Sequence, residues 1–425
     1  GIYNYKESSG NFIVNADNNV FLDTFCNIAA VPLGYNNPKL IERFNKKNYL
    51  PLLLHRNALG VMPPVEWVDL IDNIMDKMAP KGLDFIHAGC GCGTGANENA
   101  IKAAFLYKYY KDNDLNDDKQ LEIHTESCMN NLPPGAPEYE MLSFNKGFHG
   151  RSLGCLSVSY SKAIHKIGIP AFKWNKVDFP NVKYDNSNKT IISNNVNEDI
   201  VLNEVYNKIK ENNKIAGLII EPIQSEGGDN HASNKFFREL REICSEFDIT
   251  FIVDEVQTGM GSTGKFWAHE HWDLDSPPDI ITFAKKAQIS GFFAKKELKP
   301  LHPFQIFNTW MGDATRTMLL NEILDIISEE KLVENVAKTG DYLYQNLKEL
   351  KKNNLIQNLR GKDRGTYIAF DLFMNEKYSE LDRINKIYKF KNDMKENGII
   401  IGTCGSNESI RLRPSLIFEK YHANI

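Results

Sequence analysis

No apolar run in this 425-residue sequence approaches the roughly 20 residues that a helix needs to cross a bilayer, so a soluble chain without a membrane partner is expected. Long blocks of like charge are also missing: 50 Lys and Arg stand against 55 Asp and Glu, a formal net charge of −5. Nucleic acid is thereby a poor partner, because it is recognised through a concentrated basic face. Cysteine is sparse and odd in number. The seven, Cys26, Cys90, Cys92, Cys128, Cys155, Cys244 and Cys404, are scattered, which fits reduced thiols in a cytosol-like compartment better than a disulfide framework. An initiating methionine is lacking too. The opening Gly1-Ile2-Tyr3-Asn4 is neither a signal peptide nor an amphipathic transit peptide, so a truncated N-terminus is expected and targeting is not legible from it.

What is there is length enough for one large domain and a smaller one, since an average domain takes roughly 100–200 residues. Residues 11–15 and 20–25 alternate apolar and polar positions around Ala16-Asp17-Asn18-Asn19, which predicts a strand pair with a turn. Short apolar runs at 141–144, 215–220, 249–253 and 280–283 then alternate with helical patterns such as 99–110 and 235–247. That alternation predicts an α/β fold with a mostly parallel sheet covered by helices on both faces. The final third reads as a second, smaller α/β unit: a long helical pattern at 318–350 and candidate strands at 366–371, 399–402 and 409–413. Two polar stretches, 112–118 and 184–198, read as solvated loops with little to bury.

Four groups of residues could carry chemistry. Gly89-Cys90-Gly91-Cys92-Gly93-Thr94-Gly95-Ala96-Asn97-Glu98-Asn99 is a glycine-rich turn running into a helical pattern. Backbone N–H groups and the positive end of a helix favour a phosphate there, although the lysine of a P-loop is absent and a bare structural turn is the alternative. Asp254 follows the apolar run 250–253 in Asp254-Glu255-Val256-Gln257-Thr258-Gly259. An acid at the C-terminal edge of a buried parallel strand lies where open α/β sheets bind ligands, and against a pyridine ring it would keep the nitrogen protonated. A helix N-cap is its plain alternative. In Ile280-Ile281-Thr282-Phe283-Ala284-Lys285-Lys286 a lysine ends an apolar strand. Burial would lower its pKa towards the neutral nucleophile that forms a Schiff base with an aldehyde, unless the lysine is merely solvated; two neighbouring lysines leave both open. Phe148-His149-Gly150-Arg151 and Ile410-Arg411-Leu412-Arg413-Pro414 supply separated arginines. Arginine clamps a carboxylate with two parallel hydrogen bonds, so two of them suit a substrate with carboxylates at two positions. Surface arginines, and core packing of Phe148 and His149, are the alternatives.

Together with Glu221-Pro222-Ile223-Gln224-Ser225-Glu226-Gly227-Gly228-Asp229-Asn230-His231, Gly264-Lys265-Phe266-Trp267-Ala268-His269-Glu270-His271 and Phe307-Asn308-Thr309-Trp310, these segments resemble the class III pyridoxal-phosphate-dependent aminotransferases. The resemblance runs over nearly the whole chain, short only of the beginning and of a terminal helix expected after Ile425. It implies fold type I of the pyridoxal-phosphate-dependent transferases: an N-terminal segment at 1–40 packing with the small domain, a large cofactor-binding domain at 41–315 and a small C-terminal domain at 316–425.

It also implies pyridoxal 5'-phosphate as cofactor, with Lys285 as the Schiff-base lysine and Lys286 as the fallback. Asp254 would face the pyridine nitrogen, Gln257 would approach the phenolic oxygen, Phe148 would stack on the ring, and His149 would belong to the same cofactor site. Gly93 and Thr94 would hold the phosphate, helped by Thr309 from a second subunit, which makes the active unit a homodimer with shared sites. The segments are most similar to members of the eukaryotic type that pass the amino group of 4-aminobutyrate to 2-oxoglutarate, so small amino acids and 2-oxo acids are the expected partners. Arg151 would then anchor the 4-aminobutyrate carboxylate, Glu226 would neutralise Arg411 until glutamate or 2-oxoglutarate needs it, and Ile28 would line the apolar middle of the pocket. Another ω-amino acid, such as ornithine, lysine or β-alanine, is the neighbouring reading.

A metal- or nucleotide-binding protein built on the Cys90/Cys92 turn is the reading from another class; it leaves Asp254 and the strand-end lysine unexplained. The resemblance implies a mitochondrial matrix location, with the cytoplasm as alternative. Animal members carry two cysteines in the glycine-rich turn, where paired subunits can hold an iron–sulfur cluster. Here Cys92 matches the first but Gly95 stands at the second and Cys90 has the wrong spacing, so neither a cluster nor another metal is expected. Ala287-Gln288-Ile289-Ser290-Gly291 lacks one glycine of the usual pair, as in fungal-type members.

Overall fold

The computed structural model describes residues 2–54, 62–113, 117–180, 194–374, 378–406 and 408–425, and in it the apolar runs become the strands of a central sheet. The first two strands, β1 (Phe12–Val14) and β2 (Val20–Asp23), form the antiparallel pair that their alternation predicts, with Ile13 opposite Phe21. Seven strands follow: β3 (Phe85–Ala88), β4 (Glu140–Phe144), β5 (Lys176–Val177), β6 (Ile215–Ile220), β7 (Thr250–Asp254), β8 (Ile280–Phe283) and β9 (Gly291–Ala294). Among the described residues they make one sheet in the order β3-β9-β8-β7-β6-β4-β5. It is parallel from β8 to β5, and β9 runs antiparallel to both of its neighbours. Every residue of β6, β7 and β8 is buried, because helices cover both faces, and this is why these strands read as continuous apolar runs without alternation.

The helices obey local rules. Ser233 starts the Asn234–Glu246 helix by accepting a hydrogen bond from the Phe236 N–H at 3.1 Å, and the helix turns Phe236, Phe237, Leu240 and Cys244 into the core. Each such large apolar side chain contributes roughly 1.5–3 kcal/mol on burial. The helical pattern at 318–350 is not one helix. It breaks at Lys331, which takes φ +51°, into Ala314–Glu329 and Leu332–Lys352. An unbroken helix of that length would run about 50 Å, beyond the core that both halves bury against.

Beyond it lie β10 (Ile356–Arg360), β11 (Ile368–Leu372), β12 (Ile399–Ile400), β13 (Gly402–Cys404) and β14 (Ser409–Leu412). Four of them form an antiparallel sheet, β10-β11-β14-β13, while β12 pairs in parallel with β2 and so ties the N-terminal strands to the C-terminal third.

Both polar stretches are corrected in part. Residues 114–116 and 184–193 lie outside the described residues, but Asp118 begins a helix to Met129 and residues 194–198 belong to the Asn194–Glu211 helix. Among the described residues, no helix is long and apolar enough to cross a membrane.

One glycine joins two segments that shape the site. Gly89 takes φ +88°, and a Cβ there would lie 2.2 Å from the Gly312 backbone nitrogen, so the loop at 308–312 can rest directly on the glycine-rich turn. Asn99 reinforces the contact by donating to Asn308 Oδ1 at 2.5 Å. Gly89→Ala is expected to cost at least ~2 kcal/mol, from φ strain plus the forced displacement of backbone, and thermal unfolding measures it.

Candidate active site

In an open parallel sheet, ligands sit beyond the C-terminal strand edges. Asp254 is the last residue of β7, Glu221 follows β6 directly, and Lys285 lies two residues past β8. These three, with the start of the Gly93–Asp112 helix and the turn carrying Phe148 and Arg151, wall a cavity of about 1070 Å³. A second cavity, of about 960 Å³, lies against the Gly93–Asp112 and Asp118–Met129 helices and has no strand-end acid or lysine in its wall.

The two lysines separate by direction. Lys285 opens onto the first cavity, whereas Lys286 is 3% exposed and donates through Nζ to the Gln257 carbonyl at 2.7 Å. Burial lowers the Lys285 amine to about 8; Glu226 and Asp254 oppose the shift, and Arg411 and Arg413 add to it. Burial, with Lys285 and Arg413 beside it, lowers Lys286 to about 7. Both amines are softened; access alone distinguishes them.

Asp254 gathers four donors. Oδ2 takes Asn97 Nδ2 and His149 Nδ1, each at 2.8 Å, while Oδ1 takes the Val256 N–H at 3.0 Å and Thr282 Oγ1 at 3.4 Å. Asn97 also donates to the His149 carbonyl at 2.8 Å, so acid, imidazole and helix are locked together. Glu221, which sequence reasoning passed over, accepts the N–H groups of Phe148 at 2.9 Å and Ser225 at 3.1 Å. Burial first, then Asp254, pushes its carboxyl well above the ordinary range. The strand-end rule that picks out Asp254 applies to Glu221 equally and could have found it.

Across the cavity, Cys92 precedes the Gly93–Asp112 helix without a side-chain cap, and the first intrahelical bond reaches Cys92 from Ala96. The N–H groups of Gly93 and Thr94 thus belong to the first helical turn, where backbone donors have no acceptor within the helix. Gly150, at φ +127°, allows the 148–151 turn to close on Thr94: a Cβ at 150 would lie 2.1 Å from Thr94 Oγ1. Thr94 Oγ1 in turn lies 2.7 Å from Ser152 Oγ. The Phe148 ring borders the cavity with the Arg151 guanidinium 5.6 Å from its centroid.

Of the residues singled out in the sequence, Gly93, Thr94, Phe148, His149, Arg151, Asp254, Gln257 and Lys285 all line this cavity. Glu226 and Arg411 pair with each other outside its wall, Oε1 to Nη1 at 2.8 Å. The Arg411 side chain is 3% exposed, so this ion pair is what meets its buried charge. Burial opposes ionisation of Glu226, but Arg411, with Lys285 and Lys162 farther off, outweighs it and holds the carboxyl below its usual value.

Two of the singled-out residues lie outside the wall of this chain's cavity. Thr309 is exposed and does not line its own chain's cavity, although its neighbour Trp310 does. Ile28 is 38% exposed and also absent from the wall, where Asn27, Ala30 and Val31 stand instead. The reason is a left-handed turn: Cys26, Asn27, Ile28 and Ala29 all take φ between +48° and +62°, closed by Ala30 N–H to the Cys26 carbonyl at 2.7 Å. A β-branched residue so placed costs roughly 1–3 kcal/mol, and no alternation pattern foretells it.

A bare helix N-terminus, an acid held by four donors and an accessible amine of lowered basicity suit, respectively, the phosphate, ring nitrogen and aldehyde of a phosphorylated pyridine aldehyde.

Comparison with known proteins agrees. The sequence pattern of the family described as "Aminotransferase class-III" matches residues 2–425. The chain is 45% identical to the 4-aminobutyrate aminotransferase of Emericella nidulans and 43% identical to the mouse protein labelled "4-aminobutyrate aminotransferase, mitochondrial", in both cases over 99% of this chain and 82% of the relative. It superposes on the lysine aminotransferase of M. tuberculosis with a TM-score of 0.84 at 27% identity, covering 100% of this chain and 92% of that one. With this cavity and these relatives, the chain belongs to the class III aminotransferases, and its cofactor is pyridoxal 5'-phosphate.

Proposed function

We propose that the protein transfers the amino group of 4-aminobutyrate to 2-oxoglutarate, giving succinate semialdehyde and L-glutamate. The observation that carries this reading is the Glu226–Arg411 pair, set apart from Arg151. In 4-aminobutyrate a single carboxylate lies at the far end of the molecule from the amine, so one arginine suffices and a second would be left as an unmatched buried charge. Glu226 covers that second charge. With 2-oxoglutarate there are two carboxylates, and the donors of Arg411 can leave Glu226 to hold the nearer one while Arg151 keeps the farther.

Lys285, Asp254, Gln257, Phe148, Gly93 and Thr94 would hold the cofactor, with His149 and Asn97 steadying Asp254 from behind. When bound, pyridoxal 5'-phosphate supplies an aldehyde that takes the amine and a protonated ring that stores electrons. Lys285 Nζ is the base that takes the proton from the substrate carbon bearing the amine, and a lowered pKa keeps a useful share of it neutral. Glu221 ties down the Phe148 backbone, so the aromatic ring keeps its place beside the cavity.

The active unit is a homodimer in which Thr309 of each subunit serves the other's phosphate. An exposed Thr309 beside the 60%-exposed Trp310 supports this, as do the exposed Leu50, Leu53 and Leu54 next to the start of the Ala314–Glu329 helix. Residues 1–40, 41–315 and 316–425 act as N-terminal segment, large domain and small domain, and the mitochondrial matrix is the working compartment.

Steady-state rates with 4-aminobutyrate, β-alanine, ornithine and lysine test the substrate. Fast turnover of ornithine or lysine with none of 4-aminobutyrate would reverse the assignment. Arg151→Ala is expected to raise KM for 4-aminobutyrate roughly 10- to 150-fold, the value of a charge-assisted hydrogen bond of ~1.5–3 kcal/mol, with a smaller change in kcat.

A further inference from the structure

Behind Gln257 lies a polar cluster that the chemistry above does not use. Arg413 is fully buried, its side chain 0% exposed, and its Nη2 contacts both oxygens of the equally buried Asp229 at 2.5 and 2.7 Å. Its guanidinium carbon lies over the Tyr367 ring, 3.3 Å from the centroid. Nε donates to Gln257 Oε1 at 3.0 Å, and the Tyr367 hydroxyl reaches the same oxygen at 3.0 Å. The Tyr367 hydroxyl is in contact with Ser225 Oγ as well.

Proton counting makes this arrangement one-way. A guanidinium has donors only, so whichever Gln257 amide atom faces Arg413 Nε must be the oxygen; the reverse flip would set two donors against each other. With the oxygen there, the single Tyr367 proton goes to it when Ser225 donates to Tyr367 rather than to the Ile223 carbonyl, which its Oγ also reaches at 3.2 Å. Lys286 fixes the Gln257 main chain through its carbonyl. The amide nitrogen, with two N–H groups, is then left for the cavity that Gln257 lines.

We propose that Arg413 and Tyr367 are positioning residues that lock the Gln257 amide so that it presents N–H, never oxygen, to the cofactor's phenolic oxygen. The inference rests on the reading that Gln257 meets that oxygen. Without the lock the amide can turn, and a lone pair facing the phenolic oxygen repels what the N–H would hold.

The holoenzyme's visible absorption band, titrated with pH, reads the phenolic oxygen directly: losing a donor makes it more basic and moves the midpoint upwards. Lys286, Asp229, Glu226 and Arg411 near Gln257, and His149, Arg151, Glu221, Asp254, Lys285, Asp313 and Arg316 on the cavity wall, are other titratable or charged groups there, and each variant must be compared with the parent at the same ionic strength. Arg413→Gln combined with Asp229→Asn removes both buried charges together, so neither is left alone. We expect its midpoint to rise about one pH unit, a tenfold change in proton affinity, and its cofactor to bind about tenfold more weakly. Gln257→Ala should shift the midpoint similarly, and adding it to the double variant should change little further. Tyr367→Phe, which keeps the ring, should move the midpoint the same way by a few tenths of a unit and remains informative if the double variant does not fold.

An unmoved midpoint in a loaded double variant, or in Tyr367→Phe, overturns the proposal, as does an equal Gln257→Ala shift in both backgrounds. If Gln257→Ala itself leaves the parent midpoint in place, the failure belongs to the reading of Gln257 at the phenolic oxygen.

Discussion

Lys285→Ala is expected to lose at least ~10³-fold in kcat, because it removes both the amine that attaches the cofactor and the base that moves the proton. Lys286→Ala should retain attachment, since that side chain turns away from the cavity to the Gln257 carbonyl. Borohydride reduction followed by mass spectrometry of the peptides distinguishes them: the cofactor's mass should sit on Lys285, and its loss only in Lys286→Ala would transfer the role. The same amine sets a pH dependence. Burial lowers Lys285 to about 8 from the 10.5 of a free lysine, so the reactive neutral form is lost as pH falls through about 8 and complete above it. At pH 7 about a tenth is neutral against roughly one part in 3,000 for an unperturbed lysine, a gain of roughly 300-fold. The rate at which cofactor-free protein takes up pyridoxal 5'-phosphate should therefore rise with pH to a midpoint near 8. A midpoint near 10 would mean that the amine is not buried as described.

Asp254→Asn should cost roughly 10²–10⁴-fold in kcat and also lower the unfolding temperature, since its amide nitrogen takes the place of an oxygen that accepts from either Asn97 and His149 or the Val256 N–H and Thr282. Asparagine keeps the shape and an oxygen for Asn97 or His149, but it removes the negative charge opposite the ring nitrogen. At hydrogen-bond distance in a site of effective dielectric about 20, that charge is worth roughly 5 kcal/mol at most. Asp254→Ala goes further, since it strands the side-chain donors of Asn97 and His149 in a buried setting, so both rate and stability should fall more. Single-turnover rates with 4-aminobutyrate, beside thermal unfolding, separate the two effects. Near-parental turnover in Asp254→Asn would remove the acid from the chemistry.

Particular residues show how far reading from the chain could go. Asp254 and Lys285 were legible because each ends an apolar run, and a run that is apolar on both faces must lie inside a parallel sheet whose C-terminal edge is a binding edge. Glu221 sits in the same relation to β6 and was within reach of the same rule. The break at Lys331 was not, because the helical periodicity resumes after a single left-handed residue. Nor was the turn at Cys26–Ala29, where positive φ values favoured only by Asn27 extend over Cys26, Ile28 and Ala29 and are sustained by the surrounding structure.

By itself the sequence determined the α/β class, the mostly parallel sheet and the strand ends where a ligand would meet an acid and an amine, because periodicity and burial are written residue by residue. Only the tertiary structure decided which of two adjacent lysines faces the cavity, that Ile28 turns out of its wall, and that Arg413 and Tyr367 converge on one amide oxygen. Those outcomes depend on side chains more than 100 residues apart meeting within 3 Å, and on which way a backbone turns under packing. No local pattern records either.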